Sequence, residues 1–177
     1  MTEIVDEDLI ESASALKMKV PVKTGHGEEK VIELDLGDRV TVILDLIASE
    51  RGCSVEELIL IREGDEEPIT EIVVVDSDYP HKRRHHVHHA GEVVVTVYYQ
   101  AREERRGFKR SATVEAVLAW AIKVFKIDPS MATEFELTRH GEKEELPGSE
   151  HVGHLAGRHG ELALDLVRGD IANGASA

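Results

Sequence analysis

The sequence predicts an α+β protein in which one small structural unit occurs twice. Three observations predict it. Short apolar, β-branched runs recur along the chain: Leu16–Val22, Val31–Leu36, Leu58–Ile61, Val93–Tyr99 and Leu162–Val167. Several of these alternate with the period of a half-buried strand. Two stretches carry apolar residues at helical spacing, and each follows a candidate hairpin. The order strand, strand, helix, strand then appears in both halves.

In the first half Leu16–Val22 is a strand, Thr24-Gly-His-Gly27 a hairpin turn, and Ile32, Leu34 and Leu36 line one side of the returning strand. Gly37-Asp38 breaks that strand, and Asp38 is suited to cap a helix. Val40, Ile43, Leu44 and Ile47 form the helix stripe, which stops at Gly52. Leu58–Ile61 is a third strand, turned by Gly64-Asp65, and Ile72–Val75 a further one.

The second half is cleaner. Val93–Tyr99 has a strand's composition. The charged Arg102–Gly107 reads as a hairpin turn and Phe108–Ser111 as the returning strand. Thr113 caps a helix whose stripe is Val114, Val117, Leu118, Ala121, Ile122 and Phe125, with Trp120 at its edge. Asp128-Pro129 ends the segment. Glu134–Thr138 alternates as a strand, and Leu162, Leu164 and Leu166 mark the last one. A hairpin, a helix across its apolar face and returning strands make the β-grasp arrangement. Burying about five helix residues at roughly 1.5–3 kcal/mol each would supply much of the folding drive of such a unit.

The predicted organisation is an acidic arm over 1–15, a first β-grasp domain over 16–76, a His/Arg-rich linker over 77–91, a second β-grasp domain over 92–169 and a tail over 170–177. Val93–Tyr99 suits the end of the first unit or the start of the second, and the second is preferred.

Composition narrows the function. A net charge of −14 across 177 residues argues against a nucleic-acid or membrane-surface binder. No apolar run is long enough to span a bilayer. The one cysteine, Cys53, excludes an internal disulfide framework and reads as a small, partly buried side chain. The N-terminus lacks the basic start and apolar run of a secretory signal, so a cytoplasmic protein is expected. No nucleotide-binding glycine motif occurs, and no set of acid, base and nucleophile stands out, so no enzyme, cofactor or catalytic residue is expected.

The chain end carries the sharpest chemical signal. The leucine-striped strand runs into Arg168-Gly169 and then a small, polar stretch. The plain alternative is a chain end after an edge strand. Leu162-x-Leu-x-Leu-Val-Arg168-Gly169 resembles the ending of ubiquitin. Thr113-Val-Glu-Ala-Val resembles the opening of the ubiquitin helix, and Asp38-Arg-Val-Thr-Val-Ile does so in the first half. Leu58-Ile-Leu-Ile-Arg-Glu-Gly64 resembles the strand and turn that follow that helix. With two such units, the chain resembles the tandem ubiquitin-like modifiers. More closely, it resembles the bacterial ubiquitin-like proteins of antiphage operons.

That resemblance implies conjugation to target proteins through Gly169 and removal of a tail that begins at Asp170. It implies a ubiquitin-activating-like enzyme, a ubiquitin-conjugating-like enzyme and a JAMM-type deubiquitinase-like peptidase as partners. Leu166, Val167 and Arg168 would form the enzyme-binding tail. Glycine suits the reacting position because it lacks Cβ and lets backbone approach closely. Ubiquitin ends in Gly-Gly, whereas this chain has Gly169-Asp170, so cleavage after Asp170 and no conjugation at all stay open. The rival classes are a non-conjugated tandem ubiquitin-like adaptor and a sulfur carrier.

Pro80–Ala90 is a basic island with His81, His85, His86, His88 and His89. His86 and His88 project to one side of an extended chain, a plausible ligand spacing that would need further ligands. Lys82, Arg83 and Arg84 suit an acidic partner surface. The other reading is a solvated linker that offsets the acidic domains. His140, His151, His154 and His159 read as surface residues in turns.

Overall fold

The structure, a computed structural model, describes residues 17–70 and 73–169. The expected arm over 1–15, Ile72, and the tail over 170–177 with Asp170 lie outside the described residues. The chain divides into two units, residues 1–88 and 89–177.

In the first unit β1 (Met18–Gly25) and β2 (Glu28–Leu34) form an antiparallel hairpin, turned at Gly27 with φ 73°. Helix α1 (Val42–Arg51) follows, then β3 (Leu58–Arg62) and β4 (His85–His89). The sheet order is β2-β1-β4-β3, with β1 and β4 parallel. Val20, Val22, Ile32 and Leu34 from the hairpin pack with Ile43 and Ile47 of α1 and with Leu60 and Val87. Gly52 ends α1 in the left-handed conformation, and its amide donates back to the carbonyls of Ala48 and Ser49, as the sequence suggests.

Three expectations are corrected here. Thr41, not Asp38, precedes the helix; the Asp38 carboxylate instead accepts from the Asp35 amide at 2.8 Å and closes the turn after β2. The segment around Val73–Val75 does not join the sheet. It bonds to the loop before α1, through Val40 N–H to the Val73 carbonyl and Val75 N–H to the Asp38 carbonyl. The fourth strand is β4, inside the stretch expected as a linker. The first unit therefore runs past residue 76, to His88. A strand laid parallel to the first needs a long return path, and the residues between β3 and β4 provide it.

In the second unit β5 (Glu92–Tyr99) and β6 (Arg102–Lys109) pair antiparallel from Glu92↔Lys109 to Tyr99↔Arg102. The charged Arg102–Gly107 is thus strand rather than turn. The turn is the tighter Gln100-Ala101, with Gln100 at φ 56°. β6 is the edge of its sheet, where charged side chains meet solvent and discourage pairing with other chains. Thr113 caps α2 (Val114–Val124), its hydroxyl accepting from the Ala116 amide at 3.2 Å. A short 3-10 turn over Pro129–Glu134 leads into β7 (Phe135–Arg139), and α3 (Val152–Ala156) precedes β8 (Glu161–Arg168).

The order β6-β5-β8-β7 repeats that of the first unit, with β5 and β8 parallel and β7 antiparallel to β8. Val93, Val95 and Val97 of β5 and Leu162, Leu164 and Leu166 of β8 meet Val114, Val117, Ala121 and Ile122 of α2. Trp120 sits partly buried at the margin, edge-on to Phe108. Each unit is a four-stranded mixed sheet with a helix on one face, so the chain is an α+β protein of two tandem β-grasp domains.

Candidate functional site

The end of β8 is where sequence and chemistry converge. Leu162, Leu164 and Leu166 alternate into the core beneath α2, which leaves Ala163, Asp165 and Val167 toward the other face. The strand keeps its pairing to its last residue: Leu166 lies opposite Leu137, Val167 opposite Glu136, and Arg168 opposite Phe135. The Arg168 guanidinium lies over the Phe135 ring, 5.8 Å from its centroid, and 4.0 Å from the Glu134 carboxylate. One residue on, the Gly169 amide donates to the Glu134 carbonyl at 2.7 Å. A Cβ at Gly169 would stand 3.0 Å from a Glu136 carboxylate oxygen.

This placement corrects one expected site residue. Leu166 is 3% exposed and packed in the core, so it is not part of an accessible enzyme-binding tail. The strand simply continues farther than the ubiquitin-like ending suggests. Val167 is half-buried and Arg168 is exposed.

On the face of the second sheet opposite α2, the Asp165 carboxylate accepts from His140 Nδ1 at 2.7 Å and from the Gly141 amide at 2.8 Å. The Tyr98 ring stacks on His140 with centroids 4.3 Å apart. Asp165 thereby holds the turn after β7 against β8. Its only sequence signal is a lone carboxylate among the leucines.

The basic island is built into the first unit. Arg83 pairs with Asp65 at 3.8 Å, and Arg84 with Glu29 at 3.0 Å and Glu63 at 3.6 Å. These contacts use the island's charge within the unit, as the charge-offset reading expects, although the segment is a strand and not a solvated linker. His85 is a core residue. Its Nδ1–H donates to the Arg83 carbonyl at 2.7 Å, which leaves Nε2 to accept the Tyr79 hydroxyl at 2.5 Å. Burial holds the His85 pKa below the ordinary histidine value and raises that of Tyr79. His86 and His88 are buried with rings parallel at 5.9 Å, and His86 Nε2 lies 3.5 Å from Glu63. His89 is half-buried.

His151 and His154, expected at the surface, are also buried, with rings parallel at 5.7 Å. They stand at the start and in the body of α3, which the turn-like composition of 148–160 conceals. Arg110 carries no sequence signal of its role either. It is 4% exposed, and its guanidinium donates to the carbonyls of Gly157 and His159 at 2.7 and 3.0 Å, clamping the approach to β8. No helix among the described residues is long and apolar enough to cross a membrane.

Taken together, the two β-grasp folds and the leucine-striped closing strand give the chain the fold class of ubiquitin-like domains. Within that class, residues 94–169 match the family model for BilA ubiquitin-like domain 2. Solved structures similar to the chain include the ubiquitin of Caldiarchaeum subterraneum, at 17% identity and a TM-score of 0.37 over 45% of this chain and 95% of that one. Another is the N-terminal ubiquitin-like domain of the 4931431F19Rik protein, at 18% identity and a TM-score of 0.36 over 43% of this chain and 77% of that one. No curated protein matches the chain.

Proposed function

We propose that the chain is a cytoplasmic ubiquitin-like protein modifier of bacterial antiphage defence, trimmed at its C-terminus and joined to target proteins through a glycine carboxyl near that end. The observation that carries the proposal is the match of 94–169 to BilA ubiquitin-like domain 2, whose last strand leads directly into Arg168-Gly169. In this reading the chain is a substrate. A JAMM-type peptidase hydrolyses one peptide bond past β8 and leaves a glycine carboxylate. An activating-like enzyme lets that carboxylate attack the α-phosphorus of ATP, with pyrophosphate leaving. A thiolate displaces AMP to form a thioester. A target amine on the conjugating-like enzyme's substrate then displaces the thiol, forming an amide.

The sequence expectation places this chemistry at Gly169, with Asp170 the first residue removed. Glycine offers an acyl carbon with no Cβ beside it, so a nucleophile meets little steric opposition. Arg168, exposed and forked, suits an acidic surface on an activating enzyme.

The test is expression of the chain, tagged at its N-terminus, in its native host. Slower-migrating forms that survive denaturant and thiol, and vanish when the activating-like enzyme is deleted, are the expected result. A single species at the unconjugated mass in both strains would favour the non-conjugated adaptor, for which the Tyr98–His140–Asp165 face is the candidate docking surface.

A further inference from the structure

Each unit carries a pair of buried histidines that the modifier chemistry does not use. In the first unit His86 and His88 project from the same side of β4, the side opposite Val87. Both are buried, and their rings are parallel with centroids 5.9 Å apart. In the second unit His151 stands at the start of α3 and His154 in its body, both buried, with parallel rings 5.7 Å apart. Within each pair the two residues offer one ring nitrogen apiece, and those nitrogens lie within 4.8 Å of each other.

Burying an imidazole is costly unless its polar atoms are engaged. The core residue His85 meets that cost in the ordinary way, with Nδ1 on the Arg83 carbonyl and Nε2 on the Tyr79 hydroxyl. The two pairs follow another plan and set imidazole beside imidazole. We propose that His86 with His88, and His151 with His154, are metal-ligand pairs through which the protein binds zinc. This inference stands apart from the modifier reading and assigns a different property of the chain.

The donor set selects the metal. Imidazole nitrogen suits zinc, copper and nickel, whereas calcium and magnesium take oxygen ligands. A Zn–N bond of about 2.0–2.1 Å limits two nitrogens on one ion to a separation of about 4 Å. A movement of under about 1 Å therefore closes either pair onto an ion.

The mounts of both pairs are firm. β4 lies inside its sheet between β1 and β3, so His86 and His88 keep their spacing as long as the sheet stands. The Glu63 carboxylate lies 3.5 Å from His86 Nε2, and a carboxylate beside a ligating imidazole fixes the orientation of its ring. α3 is tied at its start to the beginning of α2. There the Val114 amide donates to the Glu150 carbonyl at 2.9 Å, and the Val152 amide to the Ala112 carbonyl at 2.8 Å. An ion on His151 and His154 braces α3, the element that leads into β8.

The experiment is elemental analysis of the full chain, expressed without a polyhistidine tag in zinc-supplemented medium, followed by X-ray absorption at the zinc edge. The expected result is retained zinc whose coordination sphere holds at least two imidazole nitrogens. No retained zinc, or zinc with fewer imidazoles than that, overturns the proposal. Replacing His86 and His88 together by Asn should lower the zinc content, as should replacing His151 and His154, and the variant lacking all four should retain none. A pair whose removal leaves the zinc unchanged is not a ligand pair. His26→Asn and His159→Asn alter exposed histidines and should change nothing; loss of zinc there would overturn the assignment. Should a buried variant fail to fold, the unaltered protein still decides. Excess EDTA should strip its zinc and lower its melting temperature, and added zinc should restore it. A melting temperature that ignores both treatments counts against the proposal.

Discussion

The hydroxyl of Tyr79 donates to Nε2 of His85, a core histidine of the first unit whose proton on Nδ1 is set by the Arg83 carbonyl. Because Nδ1–H is committed to the Arg83 carbonyl, protonating Nε2 would make the Tyr79 hydroxyl turn from donor to acceptor. The charged groups nearby are Arg62, Arg83 and Asp65, and burial outweighs all of them in lowering the His85 pKa.

A pH dependence follows. The unfolded chain binds a proton at His85 near pH 6.5, and the folded chain binds it only at lower pH. Below the unfolded value the unfolded state holds more protons, so acid favours unfolding. The His85 contribution is complete above about pH 6.5 and declines as pH falls from there toward the folded pKa. Urea midpoints measured from pH 7.5 to 5 should fall, and His85→Asn should flatten part of that slope. Equal slopes in both proteins would contradict the assignment. Tyr79→Phe should cost about 1–3 kcal/mol at pH 7.5 by leaving Nε2 buried without its donor.

Arg110 supplies a separate prediction. Its two carbonyl bonds hold Gly157 and His159 ahead of β8. Arg110→Met keeps much of the apolar stem and removes both bonds, which should cost about 2–4 kcal/mol and raise amide exchange across 157–161. Unchanged exchange there would show that β8 is positioned without the clamp.

Core packing predicts a larger loss at β8. Leu164 is fully buried between β5 and β7 beneath α2. Leu164→Ala should destabilise the second unit by about 2–5 kcal/mol, read from its thermal or urea transition. A loss under about 1 kcal/mol would contradict the packing.

Gln100 predicts a gain. A non-glycine residue at φ 56° carries a strain of roughly 1–2 kcal/mol, which glycine does not. Gln100→Gly should raise stability by up to about 1 kcal/mol once the added freedom of the unfolded chain is subtracted. A destabilised variant would mean the Gln100 side chain makes a contribution larger than this strain.

These sites also mark how far the sequence is legible. β5, β8 and α2 declare themselves because apolar spacing and burial coincide: Val93, Val95 and Val97 alternate into the core that Val117 and Ala121 cover. β4 and β6 do not. Arg102–Lys109 becomes a strand only because β5 supplies a partner along its whole length, and its side chains other than the buried Phe108 stay at or near the surface. His85–His89 becomes a strand because β1 and the acids Glu29, Glu63 and Asp65 accept it, with Val87 its one aliphatic core residue. Local propensity carries no signal for partners that are distant in sequence. The same limit applied to the chain end, where the Arg168-Gly169 motif was visible but the Gly169–Glu134 bond that pins it was not.

The most direct test of the modifier account is ATP–pyrophosphate exchange by the activating-like enzyme of the same host. The substrates are the full chain and a chain ending at Gly169. The account predicts brisk exchange with the chain ending at Gly169 and at least tenfold less with the chain that keeps Ala177, a difference of roughly 1.4 kcal/mol. Exchange with neither, or equal exchange with both, would contradict it.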